Sequence, residues 1–134
     1  MVAHNRRKIL VAMMDGFGPD YLQASDMPIL KQMIKAGFHK TVSACMPTVT
    51  NLNNASICTG EYAEIHGITA NSYFDLASKK EHYMDKAELL LAPTIFEKAK
   101  RVGMKSALLT AKIKTITMLH RGADVTAAAE QPSR

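Results

Sequence analysis

Short apolar runs that alternate with helix-periodic segments predict an α/β fold, a mainly parallel sheet flanked by helices. Three observations carry the reading. Lys8–Met14 (KILVAMM) is a continuous apolar run closed by Asp15-Gly16, the pattern of a strand buried on both faces. Ile29, Leu30, Met33 and Ile34 recur at helical spacing. Lys105–Ala111 (KSALLTA) supplies a further apolar run after a second helical pattern.

The elements follow in chain order. Asp26-Met27-Pro28 starts the first helix, with Pro near its first turn, and Gly37 closes it. His39–Cys45 alternates through Thr41, Val42, Ser43 and Ala44 as a second strand. Pro47–Gly60 (PTVTNLNNASICTG) is a loop that delivers Thr50 to the start of a helix, with Gly60 as its stop. Asn71–Tyr83 is polar and turn-rich, a hairpin or surface excursion. Thr94-Ile95-Phe96-Glu97 fits a capping box, and its helix runs through Lys100 and Val102 to Gly103. Lys105–Ala111 is a third buried strand, Lys112–Leu119 is helical, and Ala123–Ala127 opens another strand. No repeat, low-complexity segment or linker divides residues 1–134, a length sufficient for one domain with a core.

Composition narrows the function classes. At 47% hydrophobic and 22% charged residues the chain is ordinary for a soluble globular protein. It has no apolar run of about 18 residues or more, so no membrane partner is expected. The basic stretch Met1–Lys8 precedes an apolar run, Ile9 to Met14, that is too short for a signal-peptide core, and a cytoplasmic location is expected. Cys45 and Cys58 form no CxxC pair and are expected to be reduced and buried. The net charge is +5, but the chain has no Trp and its basic residues are scattered, so no nucleic acid is expected as a structural partner. Attraction for small anions is the more economical inference.

Several positions bear chemistry. A helix N-terminus has unpaired N–H groups and a partial positive charge, so a Thr50 hydroxyl there is either a nucleophile for phosphoryl chemistry or, with Asn51, an ordinary N-cap. Asp15, at the carboxyl end of the first strand, is either a metal ligand or a turn residue before Gly16. The Asn71 amide can stabilise charge on a transferred phosphoryl oxygen, or can merely serve a turn. In an extended segment Lys112 and Lys114 share a face and could reach one anion; otherwise they are solvated lysines opening a helix. His66, in Glu64-Ile65-His66-Gly67, has no partner at metal-ligand spacing and reads as structural or as a cap.

Together, Val11–Phe17 (VAMMDGF), Pro47–Gly60 and His66–Asn71 (HGITAN) resemble the alkaline-phosphatase superfamily. The resemblance is to the branch that holds nucleotide pyrophosphatase/phosphodiesterases and phosphonoacetate hydrolases. Asn53-Asn54, Asn71–Asp75 (NSYFD), Ala92–Phe96 (APTIF) and Thr110–Lys114 (TAKIK) resemble phosphonoacetate hydrolase in particular. The resemblance implies an alkaline-phosphatase-like core and a zinc-dependent hydrolase that cleaves the C–P bond of phosphonoacetate to acetate and phosphate. It implies Asp15 as a ligand of one of two zinc ions, Thr50 as a zinc ligand that acts as nucleophile or polarises the phosphoryl centre, Asn71 on a phosphonate oxygen, and Lys112 and Lys114 on the substrate carboxylate. A homodimer of the full-length protein goes with it. Phosphodiester hydrolysis within the same branch and a non-catalytic anion-binding module are the alternatives.

The downstream Asp and His ligands of such a two-zinc site have no counterpart before Arg134. Residues 1–134 are therefore expected to be the N-terminal part of the catalytic domain, an incomplete core that is inactive alone.

Overall fold

The structure, a computed structural model, describes residues 8–130. It divides into two compact units, Met1–Val42 and Ser43–Arg134.

The first unit holds two helices. α1 spans Pro19–Ala24 and α2 spans Pro28–Ala36. Each has proline at its start, where the missing N–H costs nothing and the fixed φ suits a helix. α2 stops at Gly37, whose N–H donates to Met33 O at 2.9 Å, as the sequence pattern predicts. The strands expected at Lys8–Met14 and His39–Cys45 do not form. A strand is defined by a hydrogen-bonded partner, and among the described residues neither segment enters a sheet. Their apolar side chains stay outside: Ile9 is 76% and Leu10 91% exposed.

The second unit contains the core. α3 (Thr50–Thr59) leads through α4 (Ala63–His66) into an antiparallel hairpin, β1 (Ser72–Asp75) with β2 (Lys80–Tyr83). A 3₁₀ turn at Ala87–Leu89 precedes α5 (Ile95–Arg101), β3 (Ala107–Thr110), α6 (Ile113–Leu119) and β4 (Val125–Ala128). β3 and β4 pair in parallel, Leu108 opposite Thr126 and Leu109 opposite Ala127, joined through α6. This is a βαβ unit, the α/β signature the sequence predicts. The described residues form two two-stranded sheets rather than one larger parallel sheet.

Ala55, Cys58, Ile68, Met84, Leu90, Met118 and Leu119 form the core cluster, with Tyr73, Phe96 and Leu108 against it. Both cysteines are free, Cys58 buried and Cys45 half-buried. Burial pushes the Cys58 thiol up to about 11, so it behaves as a small apolar group.

The capping box at the start of α5 forms as the sequence specifies. Thr94 Oγ1 accepts from the Glu97 N–H at 3.1 Å, and Glu97 Oε2 accepts from the Thr94 N–H at 2.8 Å. Thr94 Oγ1 also donates to Arg121 O at 2.6 Å, tying α5 to the turn after α6. Gly122 in that turn has φ +84°, and a Cβ there would lie 2.5 Å from Glu97 N. Only glycine fits this approach.

β3 is not buried on both faces. Leu108 and Thr110 are half-buried and Ala128 is buried, but Ala107, Leu109, Val125 and Ala127 are exposed on the other face.

Candidate functional site

Thr50 is the first helical residue of α3 and is half-buried. The cap position is Val49 in extended conformation, not Thr50 or Asn51. The next N–H of the first turn, that of Asn51, donates to Asn71 Oδ1 at 3.1 Å, from 20 residues along the chain. A backbone N–H can meet only the oxygen of an amide side chain, so the Asn71 orientation is fixed and its Nδ2 remains the donor end. Asn71 lies just before β1, where its C=O accepts from the Met84 N–H at 2.8 Å. Asn51 Nδ2 donates to Met84 O at 3.0 Å. The start of the Thr50 helix, Asn71 and the end of the hairpin are thus joined in one hydrogen-bonded ring.

Lys114 reaches the same neighbourhood. Its Nζ lies 3.5 Å from the centroid of the Tyr83 ring, one residue before Met84. Electrostatic attraction of an ammonium to the ring face holds it there. Lys112 and Lys114 open a helix, as the helical reading of Lys112–Leu119 expects. Lys112 is the extended cap position of α6, and the chain turns helical at Ile113. Two bonds fix the helix start: Lys112 O accepts from the Thr115 N–H at 3.2 Å, and the Ile113 N–H donates to Glu130 Oε2 at 2.9 Å from 17 residues along the chain. Lys112 and Lys114 are both exposed.

Asp15 belongs to the first unit. It is exposed in a turn closed by the Phe17 N–H on Met14 O at 3.3 Å, with Gly16 at φ +73°. Thr50, Asn71, Lys112 and Lys114 all belong to the second unit.

His66 is fully buried. The Ile68 N–H donates to its Nδ1 at 3.1 Å, so Nδ1 carries no proton and Nε2 does. Nε2 lies 2.9 Å from Ser56 Oγ on α3, and Cys45 Sγ lies 3.7 Å from the same oxygen. Burial lowers the imidazole pKa below its ordinary 6.5. His66 is therefore a neutral structural histidine, as its spacing suggests.

Sequence reasoning passed over the joining role of Asn51 and the seat that Tyr83 gives Lys114. Neither has a local signal, since Asn51 meets Met84 33 residues away.

Among the described residues no three His, Cys, Asp or Glu side chains are grouped to hold a metal. Asp15 and Thr50 offer two oxygen donors, one from each unit, against three protein ligands in catalytic zinc sites and four in structural ones.

The structure superposes on phosphonoacetate hydrolase from Sinorhizobium meliloti 1021 in complex with phosphonoacetate, with a TM-score of 0.75 and 35% identity. That match covers 81% of this chain and 27% of the hydrolase. The phosphonoformate complex of the same enzyme matches with a TM-score of 0.67 over 72% of this chain and 23% of that one. Bovine bis(5'-adenosyl)-triphosphatase ENPP4 is 44% identical over 79 residues, 58% of this chain and 17% of its own length. Venom phosphodiesterase of Naja atra is 39% identical over 71 residues, 51% of this chain and 9% of its own length. The chain thus spans under a fifth of these two relatives and about a quarter of the hydrolase.

These likenesses place the fold among the alkaline-phosphatase-like hydrolases, a metal-dependent superfamily. The family model of type I phosphodiesterase / nucleotide pyrophosphatase matches residues 9–132, and the chain belongs to that family.

Proposed function

We propose that this chain carries the nucleophile, the oxyanion donor and the carboxylate-binding lysines of a cytoplasmic phosphonoacetate hydrolase. The observation that carries the reading is the hydrogen-bonded ring joining the first turn of the Thr50 helix to Asn71, with the Lys114 ammonium held on Tyr83 beside it. The likeness to a hydrolase solved with phosphonoacetate supports it.

In this reading the Thr50 oxygen forms a bond to phosphorus as the P–C bond breaks. The electron pair of that bond passes to the leaving carbon and spreads into the adjacent carboxylate as an enolate. The proton given up by the Thr50 hydroxyl ends on that carbon, giving acetate; water then forms a bond to phosphorus as the Thr50 O–P bond breaks, and the Thr50 oxygen takes a proton from that water as phosphate leaves. Asn71 Nδ2 donates to a phosphoryl oxygen as its charge grows, and the ammonium groups of Lys112 and Lys114 stabilise the enolate carboxylate. A substrate without a carboxylate would gain nothing from the lysines. The relatives called bis(5'-adenosyl)-triphosphatase and venom phosphodiesterase favour a second reading, phosphodiester or pyrophosphate hydrolysis by the same Thr50 and Asn71.

The test is a graft in which residues 8–130 replace the matching segment of the Sinorhizobium meliloti hydrolase. The reading predicts phosphonoacetate cleavage that Thr50→Ala abolishes. A graft that hydrolyses a nitrophenyl phosphodiester but leaves phosphonoacetate intact would decide for the second reading. The chain by itself is expected to show no measurable hydrolysis.

A further inference from the structure

We infer that Asn51 is a positioning residue for Asn71, an inference that rests on the assignment of Asn71 as phosphoryl-oxygen donor. Asn71 is exposed, and a bare amide on the surface would sample several rotamers. Two bonds restrain it. The Asn51 N–H donates to Asn71 Oδ1 at 3.1 Å, and the Met84 N–H donates to Asn71 O at 2.8 Å. The Asn51 side chain completes the ring by donating from Nδ2 to Met84 O at 3.0 Å.

Each bond keeps the others in register. Without the Asn51 side chain, the end of β2 is fastened to the Asn71 backbone but no longer to α3. The Asn51 N–H remains but faces a strand that can drift, and its bond to Asn71 Oδ1 is no longer held in register. Displacements of this kind matter because a donor aimed at a developing charge must be held to within about half an ångström. The same bond steadies Tyr83, the residue that seats Lys114. Asn51 therefore sets two separated parts of the site from one position. It touches neither the proposed phosphoryl group nor the carboxylate.

Heteronuclear magnetic resonance on the graft, isotope-labelled within residues 8–130, tests this. In the unsubstituted graft a scalar coupling across the hydrogen bond from Asn51 Nδ2 to the Met84 carbonyl carbon is expected, with one dominant χ1 rotamer at Asn71. Asn51→Ala and the near-isosteric Asn51→Asp, which lacks the donor, are each expected to lose the coupling and to average χ1 at Asn71. The amide shifts of the Thr94–Glu97 cap should stay in place, because that cap shares no bond with the ring. A purely structural role would lower the melting temperature and leave the Asn71 rotamer single. A single Asn71 rotamer in either folded variant, loss of the folded spectrum in both variants, or an unsubstituted graft without the coupling each overturns the inference. Full activity of Asn71→Ala in the graft would instead defeat the functional reading and leave the Asn51 result standing.

Discussion

Asn71 illustrates how a side chain acquires a role from its partners. Its oxygen is committed to a helix N–H and its backbone to Met84, which leaves the Nδ2 group to donate. Removing a preorganised donor of this kind costs about 10²–10³ in kcat, and Asn71→Ala in the graft should fall in that range on phosphonoacetate. Steady-state kinetics at saturating substrate gives the number. The lysines act on the other end of the substrate. Loss of a charge-assisted contact is worth about 1.5–3 kcal/mol, or roughly 10–150-fold. Lys114→Ala should therefore lower kcat/KM on phosphonoacetate by that factor while leaving a nitrophenyl phosphodiester unaffected. His66 contributes through pH. Its pKa is lowered in the folded chain, so below about 6.5 the unfolded chain binds the extra proton and folding stability falls. That stability is complete above the ordinary value and is lost as pH drops from there toward the folded pKa. Thermal melts between pH 8 and pH 5 should show a declining midpoint, and His66→Gln should flatten the part of the decline between about pH 6.5 and 5.

At the scale of elements, Thr94 and Gly122 tie α5 to the turn after α6. Thr94→Ala removes a cap that accepts from Glu97 and a buried donor to Arg121 O, and should destabilise by about 1–2 kcal/mol. Gly122→Ala meets both a positive φ and the Glu97 backbone, and should cost about 2–4 kcal/mol, or prevent folding. Denaturant titration of both variants measures the difference. These elements also mark what the sequence could tell. The capping box, the glycine stop after α3, the hairpin at Asn71–Tyr83 and the β3–α6–β4 unit are written in local residues, and they are where the pattern places them. The strands at Lys8–Met14 and His39–Cys45 were equally legible as apolar or alternating runs, but pairing is not a local property and no described segment pairs with them. Thr50 and Asn71 were legible as motif residues. Their linkage was not, because it is built from Asn51 and Met84, residues without a motif of their own.

The whole molecule exposes more apolar surface than a finished α/β layer. Parallel sheets are ordinarily covered on both faces, yet Ala107, Leu109, Val125 and Ala127 present an exposed apolar face on β3–β4, with Leu109 71% exposed. No described residue before Ser43 is buried. Large exposed apolar patches and open strand edges drive self-association. The purified chain should therefore bind a hydrophobic dye and aggregate as concentration rises, and it should melt broadly at low temperature. A sharp, high-melting, concentration-independent transition would count against that view.

The central claim is that Thr50 and Asn71 act on a phosphonate whose carboxylate is held by Lys112 and Lys114. The most direct test is the ratio of kcat/KM for phosphonoacetate to that for a nitrophenyl phosphodiester. It would be measured in the graft and again after Lys112→Ala and Lys114→Ala together. The account predicts that phosphonoacetate is preferred in the graft and that the double substitution collapses the ratio through phosphonoacetate alone. An unchanged ratio, or an equal loss on both substrates, would contradict it.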